Sequence, residues 1–330
     1  MTQIARFRHA GADRLGAVDG DDYIDLTRAY AAAQASNGSA NAEALARAVL
    51  PPDALVFFEG GPASLTAAKI AVEFARGLDP VRARTGGILV PRSDTKTLVP
   101  IPNPRKIICV ARNYGKHAAE AGLEIPEIPI LFPRFAATLI ADGDPIIVPF
   151  VSHQVDWEGE LAVVIGKSGR HISRADALDY VAGYTIFNDV TVRDYQFRVT
   201  QYTAGKNFHA SGPIGPHITL VDEGLDPHDL GITTTINGVV KQDARTDEFI
   251  FDIPTLIEHI SEFIELEPGD VIPTGTPAGV GFKRTPPEFL AAGDIIDVTI
   301  EGIGTLSNPV RDELRASEPA PVGARNVSNR

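Results

Sequence analysis

Short apolar runs of four to nine residues, cut by glycine, proline and acidic clusters, recur along most of this 330-residue chain. "KIICVARN", "DPIIVP", "GELAVVIG", "VAGYTIFNDV", "HITLV", "LGITTTINGVV", "DVIPTGT" and "DIIDVTIEGIGTL" each read as a strand. Such runs are rich in β-branched and aromatic residues and too short for a helix. Asn237-Gly238 inside "TTINGVV" predicts a hairpin. Helical period is confined to fewer places. "TRAYAAAQAS" predicts a helix capped by Thr27, "NAEALARAVL" another, and "GPASLTAAKIAVEFARGL" a third with Leu65, Ile70, Ala71 and Phe74 on its apolar side. "SRADALDYV" predicts a helix capped by Ser173, and "DIPTLIEHISEFIEL" one that buries Ile257, Ile260 and Ile264. Strands dominate without strict strand–helix alternation, which argues against a doubly wound sheet.

The pattern divides the chain. Residues 1–95 read as a small α+β domain: turn-punctuated strands to about residue 27, then helices. The Pro-rich, polar stretch "GGILVPRSDTKTLVPIPNP" predicts a link, residues 104–312 a larger catalytic domain, and residues 313–330 a flexible tail without apolar period. Thirty basic against 43 acidic residues leave a net charge of −13, the wrong sign for sequence-independent nucleic-acid binding. There is no apolar run of membrane-spanning length and no secretory leader pattern, so the expectation is a soluble, cytoplasmic protein. The single cysteine, Cys109 in "KIICV", reads as a buried small hydrophobe and excludes a Cys-rich zinc site. Signatures of P-loops, hydrolase nucleophile elbows and zincins are missing.

Candidate chemistry begins at "VDWEGELAVVIG". Glu158 and Glu160 are two apart and leave the same face of an extended strand, roughly 7 Å apart at the backbone. Two anions entering a core repel, and burying either one unpaired costs several kcal/mol. The pair is therefore either a solvated strand end or half of a site for a hard divalent cation, Mg²⁺, Mn²⁺ or Ca²⁺. Asp189 stands where the strand "VAGYTIFN" should stop, as a turn residue or as a third carboxylate. His117 and Glu120 are three apart, so on a helix they form either an exposed polar face or an oriented base. Lys206 in "AGKNFH" is a surface charge or an anion partner, and "PTGTPAGVGF" is a tight turn or an anion-cradling loop.

In this order, "NYGKHAAEAG", "DWEGELAVVIG", "DALDYVAGYTIFNDVTVRDYQ", "GKNF", "LEPGDVIPTGTPAGVG" and "GDIIDVTIEGIGTLSNPV" resemble the fumarylacetoacetate hydrolase family over Lys106–Arg311. The resemblance implies a mostly β protein, a mixed β-sandwich roll preceded by the small α+β domain, which forms a homodimer and carries a Mg²⁺ or Mn²⁺ site. It implies Glu158, Glu160 and Asp189 as metal ligands, and His117 with Glu120 as a water-activating dyad on a lid. Lys206 is implied as the stabiliser of developing negative charge. Arg112, Tyr114, Arg193, Gln196 and Thr276 are implied on the wall that holds a small keto-acid. The expected reaction is hydrolytic C–C cleavage of a 2,4-dioxo acid such as an acylpyruvate. Oxaloacetate decarboxylation and dienoic diacid isomerisation or hydration are alternatives on the same scaffold, and a non-catalytic dimeric binding protein is a further one. Two departures bear on substrate: Asn207-Phe208-His209-Ala210 replaces the usual Ser-Phe-Asp-Thr, and Ala111-Arg112 replaces a smaller Gly-Leu pair.

Overall fold

The computed structural model describes residues 1–120, 124–221 and 224–314, the side chains of residues 117–119 excepted. The chain is mostly β. Twelve strands form one mixed sheet whose main path runs Leu89–Pro91, Asp22–Asp25, Ala12–Asp19, Gln3–His9, Gly212–Leu220, Val181–Asn188, Gly159–Ile165, Val271–Pro273, Ile107–Ala111 and Ile130–Arg134. A five-stranded sheet runs Val239–Arg245, Gly231–Ile236, Ile295–Ile300, Gly304–Asp312 and Ile146–Val148. Asn237-Gly238 turns its first hairpin, with Ile236 opposite Val239.

The central strand Gly159–Ile165 explains its own sequence. All seven residues are buried because both sheet faces are covered. Leu161, Val163 and Ile165 point into the core shared with Ile232, Val298 and the Ile253–Phe263 helix. Ala162 and Val164 point the other way, into the core shared with Cys109, Phe132 and Phe187. Glu158 and Glu160 have the same parity as Ala162 and Val164, so their side chains leave on that second face.

The N-terminal strands join the same sheet. Gln3 lies opposite Thr219 and Ile4 opposite Ile218, so the sheet is continuous from the first strands into the catalytic segment. Within the stretch read as a link, Leu89–Pro91 and Lys96–Leu98 are short strands that pair with Asp22–Asp25 and Gln3–His9.

Several helix expectations change. The first helix, Leu26–Ser36, is capped by Asp25, whose carboxylate accepts from Arg28 N at 3.0 Å. Thr27 instead donates to Leu50 O at 2.6 Å. The Gly61–Arg76 helix buries Ser64, Ala67, Ala68, Ala71, Val72 and Ala75, not its larger apolar residues. Small side chains let it approach the Leu26–Ser36 helix, itself buried through Ala29 and Ala33. "SRADALDYV" forms only the short 3₁₀ turn Ala177–Tyr180, and Ser173 bonds Asp176 within a tight turn. The Ile253–Phe263 helix forms, capped by Asp252 with Pro254 in its first turn, and buries Ile257 and Ile260, whereas Ile264 lies just past its end and is half-buried. Residues 315–330, read as a tail, lie outside the described residues. No helix among the described residues is long and apolar enough to cross a membrane.

Candidate active site

Strand register assembles the acidic cluster. Gly159 pairs with Asn188, so the residues just before and just after, Glu158 and Asp189, meet across the strand ends. The Asp189 amide donates to Glu158 O at 2.8 Å, and Asn188 Oδ1 accepts from Glu158 N at 3.0 Å. Carboxylate oxygens of Glu158, Glu160 and Asp189 lie within 4.8 Å of one another, and all three residues are buried.

Three cations surround them. Lys206 Nζ donates to Glu158 Oε2 at 2.7 Å and to Asp189 Oδ2 at 2.5 Å. Burial opposes its charge, but Asp189 and Glu158 outweigh that and raise its pKa. Lys206 reaches this position because the Thr203–Lys206 helix lies against the Arg193–Gln196 helix at Gly205, where a Cβ would sit 2.6 Å from Gln196 N. Arg193 donates through Nε to Asp156 Oδ2 at 2.7 Å and through Nη1 to Gln196 Oε1 at 2.9 Å, and it pairs with Glu158 Oε1 at 2.7 Å. Its guanidinium lies over the Phe282 ring, 4.2 Å from the centroid. Arg134, buried at the end of its strand, pairs with Asp189 and donates to Val190 O at 3.2 Å and Ser211 Oγ at 2.7 Å.

Glu160 is different. Its carboxylate accepts from Gly275 N at 2.9 Å, and among the described residues it has no lysine or arginine within ion-pair distance. Burial, then Asp189 and Glu158, push its pKa well above the usual carboxylate range. A buried carboxylate set between two others, without its own countercharge, suits a divalent cation. The donor set, oxygen only and anionic, suits a hard one such as Mg²⁺ or Mn²⁺. These residues fit the group.

The cluster opens on a small cleft. Its walls include Glu158, Glu160, Arg193, Gln196, Lys206, Thr276 and Arg112, with Phe132, Phe197, Tyr202 and Phe282 as the aromatic part. The Thr276 hydroxyl donates to Gly159 O at 3.0 Å and accepts from Gln242 Nε2 at 2.8 Å, so its proton is already committed. Tyr114 does not line the cleft: it is fully buried, edge-on to Phe249, and burial raises its pKa. Glu120, on the Gly115–Glu120 helix, accepts from Gly279 N at 3.0 Å, which ties that helix to the Gly/Pro-rich loop. The His117 side chain lies outside the described residues.

The two departures resolve differently. Asn207 is a structural bracket: Oδ1 accepts from Phe135 N at 2.8 Å and Nδ2 donates to Thr203 O at 2.9 Å. His209 lines a separate surface groove with Ile147 and Val310. Arg112 does line the cleft. Cys109 is fully buried, and burial, Asp189 and Glu160 push its thiol pKa well up, away from nucleophilic chemistry.

Sequence reasoning passed over the residues that hold the others in place. Asp156, fully buried, accepts from Arg193 Nε, Trp157 N (2.8 Å), Gly281 N (2.7 Å) and Phe282 N (3.1 Å). Its parity with Glu158 and Glu160 was the available signal. Arg134 and Gln242 carried none, since neither belongs to a motif in the sequence. Gln242 accepts from Gly159 N at 3.0 Å and donates to Pro277 O at 2.9 Å, joining the Gly159–Ile165 strand to the loop.

The model of the fumarylacetoacetate (FAA) hydrolase C-terminal family matches residues 106–311, the stretch that carries every cluster residue above. The chain belongs to the fumarylacetoacetate hydrolase family. Among relatives in this family, oxaloacetate tautomerase fahd2, mitochondrial, of Xenopus laevis is 42% identical over 256 residues, 77% of each chain. Oxaloacetate tautomerase YisK of Bacillus subtilis is 47% identical over 229 residues, 68% of this chain and 76% of the relative. Among solved structures, fumarylacetoacetate hydrolase (EaFAH) from Exiguobacterium antarcticum superposes with a TM-score of 0.73 at 31% identity, covering 95% of this chain and 100% of that one. The 2-hydroxyhepta-2,4-diene-1,7-dioate isomerase from Mycobacterium marinum gives 0.68 at 30% identity, covering 96% and 100%. The resemblance read from the six motifs and the β-sandwich roll expected from it both hold.

Proposed function

We propose that this enzyme interconverts the keto and enol forms of oxaloacetate or a close 2-oxo diacid. The observation that carries this reading is the likeness at 40–47% identity to proteins named oxaloacetate tautomerases, above the identity to the named hydrolase structure. Glu158, Glu160 and Asp189 would hold a divalent cation, Mg²⁺ or Mn²⁺. When bound, such a cation draws electron density from the carboxylate and carbonyl of a 2-oxo acid and so acidifies the adjacent C–H.

The chain's own residues then divide the remaining work. Lys206, kept charged by Glu158 and Asp189, stands beside the cluster as a donor to the oxygen on which negative charge develops. Gln196 accepts from Arg193 through Oε1, so its Nε2 is left as a second donor on the cleft wall. His117 and Glu120 are the proton carriers in this proposal: one proton leaves C3, and one is delivered to the oxygen at C2. Only a C–H and an O–H bond change, so the carbon skeleton stays whole. Proton return wins over hydrolysis where water is kept from the enolate, and the aromatic wall supplies part of that screen.

C–C hydrolysis, the reaction first expected from the motifs, is the second reading, favoured by the superposition on EaFAH. Both share the enolate and differ in whether water attacks. The two separate in one assay. Enol oxaloacetate absorbs in the ultraviolet, and metal-restored enzyme should accelerate its decay without forming pyruvate. Decay of an acylpyruvate to pyruvate, with oxaloacetate untouched, would reverse the order of the two readings.

A further inference from the structure

We propose that Arg112 receives a second, distal carboxylate, so that the cleft selects 2-oxo diacids over 2-oxo acids with a neutral tail. The inference rests on the enolising role proposed above and adds the group that recognises the far end of the substrate.

Charge pairing isolates Arg112. Lys206, Arg193 and Arg134 are each committed to carboxylates of the cluster or to Asp156. Arg112 lines the same cleft, yet among the described residues it pairs with no carboxylate. It donates through Nη2 to the Tyr202 hydroxyl at 3.3 Å, and its Nε is buried without a partner. A guanidinium has five donors and cannot lose its charge, so one neutral, long hydrogen bond leaves most of its capacity unused.

The backbone fixes it there. Arg112 has φ +59°, a left-handed conformation unfavourable for a residue with a Cβ. Such strain persists where neighbours over-determine it, often at binding sites. The neighbour here is Asn113, whose Nδ2 donates to Phe251 O at 3.0 Å and Thr274 O at 2.8 Å and whose Oδ1 accepts from Phe251 N at 2.7 Å. This clamp ends the Ile107–Ala111 strand and turns the following residue onto the cleft wall.

The rest of that wall decides the ligand class. Phe132, Phe197, Tyr202 and Phe282 offer no full charge, and Lys206 and Arg193 are held at the metal-ligand end. A carboxylate at the tail of the substrate would therefore find its matching charge in Arg112, through a charge-assisted bond.

The test uses Mn²⁺-loaded enzyme and two ligands that cannot turn over, measured by calorimetry. Oxalate has the chelating head and no tail. Difluoro-oxaloacetate, fluorinated at the carbon next to the ketone, has head and distal carboxylate but no hydrogen to lose. Arg112→Met should weaken difluoro-oxaloacetate about 10- to 100-fold, the range for a charge-assisted bond, and leave oxalate within about threefold. Arg112→Gln, which keeps a donor and loses the charge, should fall between. Equal loss of both ligands would overturn the proposal by showing a structural role, as would no loss of either. The two proposals fail separately. Wild-type enzyme that binds difluoro-oxaloacetate through Arg112 but never enolises oxaloacetate would sink the function and leave the subsite. Arg112→Met enzyme that enolises oxaloacetate with unchanged KM would do the opposite.

Discussion

Replacing Asp156 with asparagine tests whether this buried carboxylate organises the site. Its side chain accepts four hydrogen bonds, three from backbone amides and one from Arg193, with no exposure to solvent. In Asp156→Asn the carbonyl oxygen can keep the position of Oδ1 and serve Trp157 N and Gly281 N. The new NH₂ then takes the place of Oδ2 and faces two donors, Arg193 Nε and Phe282 N. A lost charge-assisted bond is worth about 1.5–3 kcal/mol and a stranded buried N–H about 1–3 kcal/mol. Together these give about 3–5 kcal/mol, the range for breaking a buried ion pair by removing one partner. Urea unfolding of the metal-loaded protein, followed by circular dichroism, should show the midpoint lowered by about 1 M or more for a slope near 3 kcal/mol/M. Arg193 should then be held only through Glu158 and Gln196, and kcat/KM should drop with it. A double-mutant cycle with Arg193→Met should show coupling of about 1–3 kcal/mol, since the second change removes the charge that the first left stranded. An Asp156→Asn midpoint within about 0.3 M of wild type, with no coupling to Arg193, would refute the reasoning.

Three other variants or conditions probe separate parts of the account. Glu160→Gln removes a carboxylate that burial and its neighbours disfavour, so the metal-free melting temperature should stay or rise while Mn²⁺ affinity drops about 100-fold, both readable by thermal shift and calorimetry. Gly205→Ala would place a Cβ 2.5–2.6 Å from Gln196 atoms, so the two short helices must part; expect about 1–3 kcal/mol of destabilisation and a lower kcat as Lys206 is displaced. His217 is held neutral by burial, its pKa lowered to about 4, with Nε2 2.7 Å from Ile303 O. Between about pH 6.5 and 4 the unfolded chain therefore binds a proton that the folded chain does not. The stabilisation is complete above about pH 6.5 and is lost as pH falls, about 3 kcal/mol in all. Unfolding midpoints from pH 7 to 5 should show this slope in wild type and a shallower one in His217→Gln.

Much of the acidic cluster could be read from the chain because strand parity and strand endings are local properties. Glu158 and Glu160 alternate with core residues of one strand, and Asp189 follows the last residue of the next, so antiparallel pairing alone brings them together. What supports them was hidden because it depends on register over long separations. Arg134 meets Asp189 across 55 residues and Gln242 meets Gly159 across 83, and no local pattern encodes either contact. The Gly61–Arg76 helix misled for another reason. Of the apolar residues that mark its expected face, Ala71 is buried and Leu65 packs half-buried against the core, while Ile70 is exposed, since the tight helix–helix contact is made by alanines. From sequence only "HITLV" reads as a strand here, yet tertiary pairing carries the Gly212–Leu220 strand back through both prolines. Reaction type lay beyond both. Hydrolysis and enolisation share the same carboxylates, lysine and His117/Glu120 pair, and differ in whether water reaches the reacting carbonyl.

The central claim is that the enzyme moves a proton at C3 of a 2-oxo diacid and leaves the carbon skeleton intact. The most direct measurement is proton NMR of oxaloacetate in D₂O at neutral pH, with metal-stripped enzyme and then with Mg²⁺ restored. The account predicts that Mg²⁺-loaded enzyme accelerates deuterium entry at C3 far above the metal-stripped control, with pyruvate no higher than in the control. Pyruvate forming in step with the loss of oxaloacetate, or C3 exchange no faster than without the metal, would contradict it.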